Sequence, residues 1–399
     1  MRSIPVRVKR TIWMSVLIVG LFSAGFLAGN IHSVTSAQST NSDVVGVITE
    51  VYNLMQSQYI DPVDPNKALE GALNGMMESL DDPFSGYMSP EDYQMTNEEF
   101  QGEIQGIGVT IRTLEDTGEI QVVSVLDGSP AQSAGVHNGD VFHAVNGELA
   151  SAMTQDELAS RVRGPEGTDV NITFARDGEL IDMTITRARI TIPNVESRVV
   201  GDNIGYVKLN QFSANAREEL DAALAELDIN SRSGLIFDLR DNPGGLLSSA
   251  VSIGSAFIKD GPIVTEWFDE SQQTVFSADG TYANITVPIV VLVNEGSASA
   301  SELVSAAMQD TGVARIVGER TFGKGTVQTW HELSNGGGLR LTVARWISPS
   351  GRWIHKRGVV PDTLVMWGGG HGTEDERDPQ LDYAIGEIEN QSTEATAAR

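Results

Sequence analysis

Cysteine is absent from the 399-residue chain, which rules out disulfides, thiolate metal sites, a cysteine nucleophile and a lipidated N-terminal cysteine. Basic charge is scarce: 27 Lys and Arg stand against 54 Asp and Glu, a formal net charge of −27. Because Arg2, Arg7, Lys9 and Arg10 all fall at the very start, the remainder is more acidic still, and nucleic acid is excluded as an expected partner. Histidines number only six and are scattered. None comes with a G-x-S-x-G elbow, which the chain lacks, and His331-Glu332 has no second histidine at the spacing of a zinc-binding helix. No internal repeat is evident.

What is present reads as a folded protein: 40% of residues are apolar and 41 are glycine, as in an α/β or α+β chain with many tight turns. The length calls for two or three cores. The basic start is followed by an uncharged, largely apolar run from Thr11 to Gly29, close to the roughly 20 residues that span a bilayer. Thr35-Ser36-Ala37 supplies small residues of the kind found at a cleavage site. Residues 1–37 are therefore expected to be a signal peptide or a membrane anchor, placing the rest in an extracytoplasmic compartment, the periplasm or cell envelope.

A helical N-terminal unit is expected over residues 38–101. Val44, Val47, Val51, Leu54 and Met55 recur at helical spacing, and a second stretch from Pro65 to Leu80 stops at Asp81-Asp82-Pro83. From Gly102 to about residue 190 the texture changes to short β-patterned runs, with one helical insert at Thr154–Val162. Between 191 and 367 strands and helices alternate, and the apolar continuity of LIFDL and PIVVLVN predicts strands covered on both faces of a helix-flanked sheet. Residues 368–399 read as an acidic, flexible tail in which LDYAIGEI can form a short helix.

Two segments carry candidate chemistry. Gly296-Ser297-Ala298-Ser299-Ala300-Ser301-Glu302 lies at a strand-to-helix corner, where free backbone N–H groups and the positive end of the helix favour a developing oxyanion. Ser299-x-x-Glu302 equally fits a capping box, in which the serine only satisfies helix N–H groups. With no histidine placed to act as base, lysine is the alternative, and Lys324 sits between Gly323 and Gly325. Bringing a lysine from a pKa of about 10.4 to neutrality costs roughly 4 kcal/mol, and burial beside Phe322 and Val327, away from carboxylates, is the predicted route. An exposed loop lysine is the plainer reading of the same residues. A nucleotide-binding reading, prompted by Gly318-x-x-x-x-Gly323-Lys324, fails because Gly325 stands where a magnesium-binding Ser/Thr is needed and a strand-like TVQTW follows. Two further loops have suggestive shapes: Gly106-Ile107-Gly108-Val109, a glycine-rich strand entry able to cradle a carboxylate, and Asp238-Leu239-Arg240-Asp241-Asn242-Pro243-Gly244-Gly245, which could aim an amide into a cleft.

In order and separation, LDDPFS, GIGVTI, DLRDNPGG, NEGSASASE, TFGKGTVQ and SPSGRWIHKRGVVPD resemble the carboxyl-terminal processing (tail-specific) proteases, Ser-Lys peptidases with an embedded PDZ domain. The resemblance covers roughly residues 40–365. It implies a multidomain α+β and α/β fold with a PDZ domain over 102–190 and a protease core over 191–367. It further implies Ser299 as nucleophile, Lys324 as general base, Gln328 as the residue orienting the lysine, the amides of Gly245 and Ala300 as oxyanion hole, and Gly106 to Val109 as the PDZ carboxylate loop. No cofactor or metal is implied. Expected partners are protein substrates with free, apolar C-termini, the membrane if residues 11–29 are retained, and a second copy of the chain or an adaptor. Asp241, Trp353 and Arg357 depart from the family pattern. Arg163 and Arg176 are the candidates for reporting PDZ occupancy to the core. The rival class is a PDZ scaffold without activity, which need not keep a serine, lysine and glutamine together.

Overall fold

The computed structural model describes residues 45–114, 117–126, 128–176, 178–191, 194–367 and 378–397. The expected targeting segment and the acidic stretch after Trp367 lie outside them. No helix among the described residues is long and apolar enough to cross a membrane.

The chain divides into two compact units, one ending at Ser79 and one starting at Leu80. Within the first, residues 45–58 form one helix and Pro65–Glu78 another. The second starts where expected because Asp64 caps it, its carboxylate accepting from the Asn66 and Lys67 N–H groups ahead of a helix-opening proline. No residue of that helix is buried.

The second unit opens with a short strand, Gly86–Met88, and a helix, Pro90–Phe100, capped by Ser89. A two-stranded ribbon, Glu103–Gly106 against Ala188–Thr191, then leads into and out of a β-rich subdomain. Its antiparallel sheet runs Val109–Thr113, Ile120–Val125, Val141–Val145, Asp169–Arg176, Glu179–Thr186 in spatial order, leaving Val109–Thr113 at an edge. A helix, Gln155–Val162, starts at the Thr154/Glu157 capping box and closes the core with Leu158, over Phe142 and Phe174, whose ring centroids are 4.7 Å apart.

The larger subdomain holds two sheets. In the first, Val195–Val200 pairs antiparallel with Ile204–Leu209, followed by parallel Gly234–Asp238, Ile289–Val293, Arg315–Gly318 and Thr363–Leu364. All five residues of Gly234–Asp238 and of Ile289–Val293 are buried, as their unbroken apolar runs predict. Strand alternation divides them between two cores. Leu235, Phe237, Val291 and Val293 meet the helices Ala216–Glu226, Leu247–Phe257 and Ala300–Asp310, whereas Ile236, Val290 and Leu292 meet Ala384 and Ile388. The latter two belong to a helix, Pro379–Ala397, that extends well beyond LDYAIGEI. It is held by packing and not by helical propensity alone: Arg240 bonds Asp378 and the buried Gln380 at its start. The second sheet is antiparallel and contains Gly86–Met88, Gly338–Ile347, Pro262–Trp267 and Gln273–Ser277, with Thr326–Glu332 also paired to Gly338–Ile347. Residues 319–325 pass from one sheet to the other, and Lys324 lies on that crossing.

Candidate active site

The buried strand Ile289–Val293 ends at Asn294, and the chain turns through 295–299 into the helix Ala300–Asp310. Three serines crowd this corner and have different surroundings. Ser297 and Ser301 are fully buried and donate to backbone carbonyls, Ser297 Oγ to Leu239 at 2.7 Å and Ser301 Oγ to Asn242 at 2.8 Å. Ser299 is half-buried and lines an open cleft. Its φ of 53° and ψ of −112° lie in a region that costs a non-glycine residue about 1–3 kcal/mol and persists only where the surroundings impose it.

Those surroundings centre on Glu302. Its side chain is fully buried, and its Oε2 accepts the Ser299 N–H at 2.9 Å, the Glu302 half of the predicted capping box. The same oxygen accepts the Lys324 N–H at 2.8 Å, while Oε1 accepts from Gly323 N–H at 2.7 Å and Thr321 Oγ at 2.5 Å. Burial pushes its carboxyl above the usual range against the opposing pull of these donors. One carboxylate thus ties the serine corner to the lysine loop. The carbonyls of that loop are held as well, Lys324 C=O by the Trp346 indole and Gly325 C=O by the Trp353 indole, each at 2.8 Å.

The Lys324 side chain is half-buried in the same cleft, its Nζ 5.2 Å from the centroid of the Phe84 ring. Burial, helped by the charge of Arg340, brings its pKa down to about 8, although Glu302 and Asp82 pull the other way. Of the expected apolar wall, Val327 does line the cleft, but the Phe322 ring is 60% exposed, and Phe84 from the LDDPFS segment takes its place. Neither were carboxylates absent from the surroundings.

Gln328 lines the cleft, and its Nε2 donates to Thr326 Oγ1 at 3.0 Å and Thr342 Oγ1 at 3.1 Å, with no hydrogen bond to Lys324 among the described residues. Ser299 Oγ and Lys324 Nζ share the cleft without a direct hydrogen bond. Gly245 and Ala300 both line it too. Gly245, at φ 147°, is pressed against Phe212 so closely that a Cβ would stand 2.3 Å from the Phe212 carbonyl oxygen. The bridge between these segments uses the Gly244 carbonyl and the Leu246 N–H, so the Gly245 N–H stays outside it. Asp241 does not project a free charge: Asn294 Nδ2 donates to it at 2.8 Å.

In the β-rich subdomain, Gly106, Ile107 and Gly108 are buried and lead into the edge strand Val109–Thr113, which faces the helix Gln155–Val162. Gly108 has φ of 80°, and a Cβ there would stand 2.4 Å from Ser129 Cβ. The two arginines singled out from sequence part company. Arg176 is internal, bonded to the buried Asp140 at 2.6 Å. Arg163 flanks Gly106 and reaches out of the subdomain to Glu99, on the helix Pro90–Phe100, at 3.0 Å.

Family models agree with this layout: one for peptidase family S41 matches residues 203–365, one for the PDZ domain matches 98–174, and one for the N-terminal domain of the activating protease CtpB matches 26–92. The carboxy-terminal processing protease CtpA of Bacillus subtilis is 37% identical over 339 residues, covering 84% of this chain and 72% of that protein. The chain belongs to the carboxyl-terminal processing proteases. The Synechocystis carboxyl-terminal-processing protease is likewise 37% identical, over 78% of this chain and 74% of its own length. A crystal structure of an S41 protease from Bacteroides fragilis, 17% identical with a TM-score of 0.52, covers 79% of this chain and 89% of its own and shares the fold. As a member of this family the chain is a serine-type peptidase with a PDZ domain, acting on proteins or peptides.

Proposed function

We propose that Ser299 is the nucleophile and Lys324 its general base in cleavage of proteins near their C-termini. The observation that carries this reading is the single cleft containing Ser299, Lys324, Gly245 and Ala300, with Glu302 tying the serine corner to the lysine loop. Neutral Lys324 takes the Ser299 proton as Oγ attacks the peptide carbonyl, and returns it to the leaving amine; water then hydrolyses the acyl-enzyme. The amides of Gly245 and Ala300 receive the oxyanion. Gln328 spends its NH2 on two threonines, which leaves its carbonyl oxygen to accept from the lysine. With lysine as base and amides stabilising the charge, the reaction calls for no metal or cofactor.

In the same reading the substrate's free, apolar C-terminus enters the PDZ domain, over 102–190, and pairs with the edge strand Val109–Thr113, its carboxylate on the amides of the Gly106–Val109 loop. The protease core spans 191–367 and takes the strand Gly86–Met88 of the 38–101 segment into its second sheet, and the enzyme works outside the cytoplasm after export through residues 1–37. Mass spectrometry of the mature N-terminus checks the last point: an intact cytoplasmic chain beginning at Met1 removes it.

The test uses an unfolded protein with an apolar C-terminus. Ser299→Ala and Lys324→Ala are each expected to lower kcat by about a thousandfold or more. Because the base must be neutral and its pKa is about 8, kcat/KM should rise with pH through that value and level off above it. Equal cleavage by all three proteins would exclude the dyad. Amidating the substrate C-terminus should weaken both binding and cleavage, and unchanged values would exclude capture by the carboxylate loop.

A further inference from the structure

Arg340 lines the same cleft as Ser299, Lys324 and Gln328, and none of the preceding steps uses it. It stands on Gly338–Ile347, in register with Gly86 on one side and Trp330 on the other, so its backbone is fixed by strands on both flanks. The guanidinium lies 5.6 Å from the centroid of the Trp330 ring, which is itself braced edge-on by Phe100 at 5.3 Å. Its Nε is buried and has no hydrogen-bond partner. Several arginines of this subdomain have acids, among them Arg240 with Asp238 and Asp378, Arg315 with Glu387 and Arg352 with Asp310, whereas Arg345, like Arg340, lies over tryptophan.

Two acids around it are already engaged. Glu99, which also lines the cleft, is paired with Arg163. Asp82, close enough to feel the Arg340 charge, accepts from Ser85 Oγ at 2.6 Å and the Phe84 N–H at 3.1 Å. With its Nε closed off, the half-buried guanidinium is left its two outer amino groups, a planar fork that fits a carboxylate through two parallel hydrogen bonds and whose charge no ion pair of the described residues takes up. A neutral carbonyl would satisfy a donor but leave the charge uncompensated.

We propose that Arg340 is a specificity residue, receiving the carboxylate of an aspartate or glutamate side chain that the substrate places in the cleft near the scissile bond. This rests on the reading that the Ser299 cleft is where peptides are cut.

The experiment takes one unfolded polypeptide with a free apolar C-terminus, maps its cut site by mass spectrometry, and steps a single glutamate through the flanking positions, each against its glutamine twin. At one position the wild type should prefer glutamate by about tenfold in kcat/KM. Arg340→Gln should bring that ratio to about one, and Arg340→Lys, a point charge without the fork, should keep only part of it. A wild type indifferent to glutamate at every position, or a preference that survives Arg340→Gln, overturns the proposal. The same pairs are titrated against Ser299→Ala and Ser299→Ala/Arg340→Gln chains, where the affinity ratio should follow the same pattern. If the wild type cuts none of the peptides, the failure belongs to the Ser299–Lys324 reading, and the affinity ratios still decide for or against Arg340.

Discussion

Glu99 lines the cleft and Glu302 lies behind it, tying together two of its lining residues; Glu302 is fully buried with four donors, Glu99 40% exposed with one arginine. A dry carboxylate with four partners cannot release one without stranding it, so the serine corner and the lysine backbone move together or not at all. A half-exposed ion pair exchanges its partner for water at a cost of about 0.2–1 kcal/mol. If Ser299 and Lys324 carry the chemistry as proposed, that end of the molecule is built in advance, and the joint between PDZ domain and core is where the energy of substrate capture would alter the arrangement.

The firmest way to break this contrast is Glu302→Gln. One amide oxygen cannot replace two carboxylate oxygens, and the new NH2 faces backbone N–H groups; each stranded donor costs about 1–3 kcal/mol. With Ser299 and Lys324 no longer tied, kcat should fall roughly 100-fold or more, and the thermal midpoint should drop with it. A folded variant with wild-type kcat would show that the tie is dispensable. Trp353→Phe is the gentler version. It removes the indole donor from Gly325 C=O, which keeps the Trp346 backbone N–H at 3.3 Å, and Trp353 is already 38% exposed. A loss of about threefold to tenfold in kcat is expected, with little change in thermal midpoint. A loss as large as that of Glu302→Gln would mean that the loop depends on its carbonyls as much as on its amides.

The sequence made some of this legible. Strands with unbroken apolar runs, the helices starting at Pro65 and just after Thr154, and the strand-to-helix corner at Ser299 are local patterns, and they fold as read. Glu302 was visible only as half of a capping box, because its bonds to Thr321, Gly323 and Lys324 span 19 to 22 residues and leave no periodic trace. A far longer separation hid Phe84, 240 positions before the ammonium it faces, and made the nearby Phe322 the natural but mistaken choice. Trp353 looked like a departure from a family motif, and its role as a clamp on Gly325 emerges only once two sheets converge on the lysine loop. The C-terminal helix was foreseen as short because its sequence is a modest helix former; burial of Ala384 and Ile388 on the sheet supplies what propensity does not.

The smallest expected effect tests the other side of the comparison. Arg163 sits between the Gly106 loop and Glu99, so a substrate carboxylate bound at that loop, as proposed, would compete with Glu99 for the same guanidinium. Both members of the pair are about two-fifths exposed, and Arg163→Ala should move the thermal midpoint by no more than about 2 °C. Yet it should reduce, by severalfold, the ratio of cleavage rates between a substrate with a free C-terminus and its amidated twin, because the signal from the loop to the helix Pro90–Phe100 is cut. Arg176→Gln is the control with the opposite signature. Its partner Asp140 is 1% exposed, and although burial pushes that carboxyl up, the Arg176 bond and the His137 N–H hold it below the usual range. Stranding it should lower the midpoint by several degrees while leaving the ratio unchanged. If Arg163→Ala keeps the wild-type ratio, or Arg176→Gln loses it, the joint is not where occupancy is read.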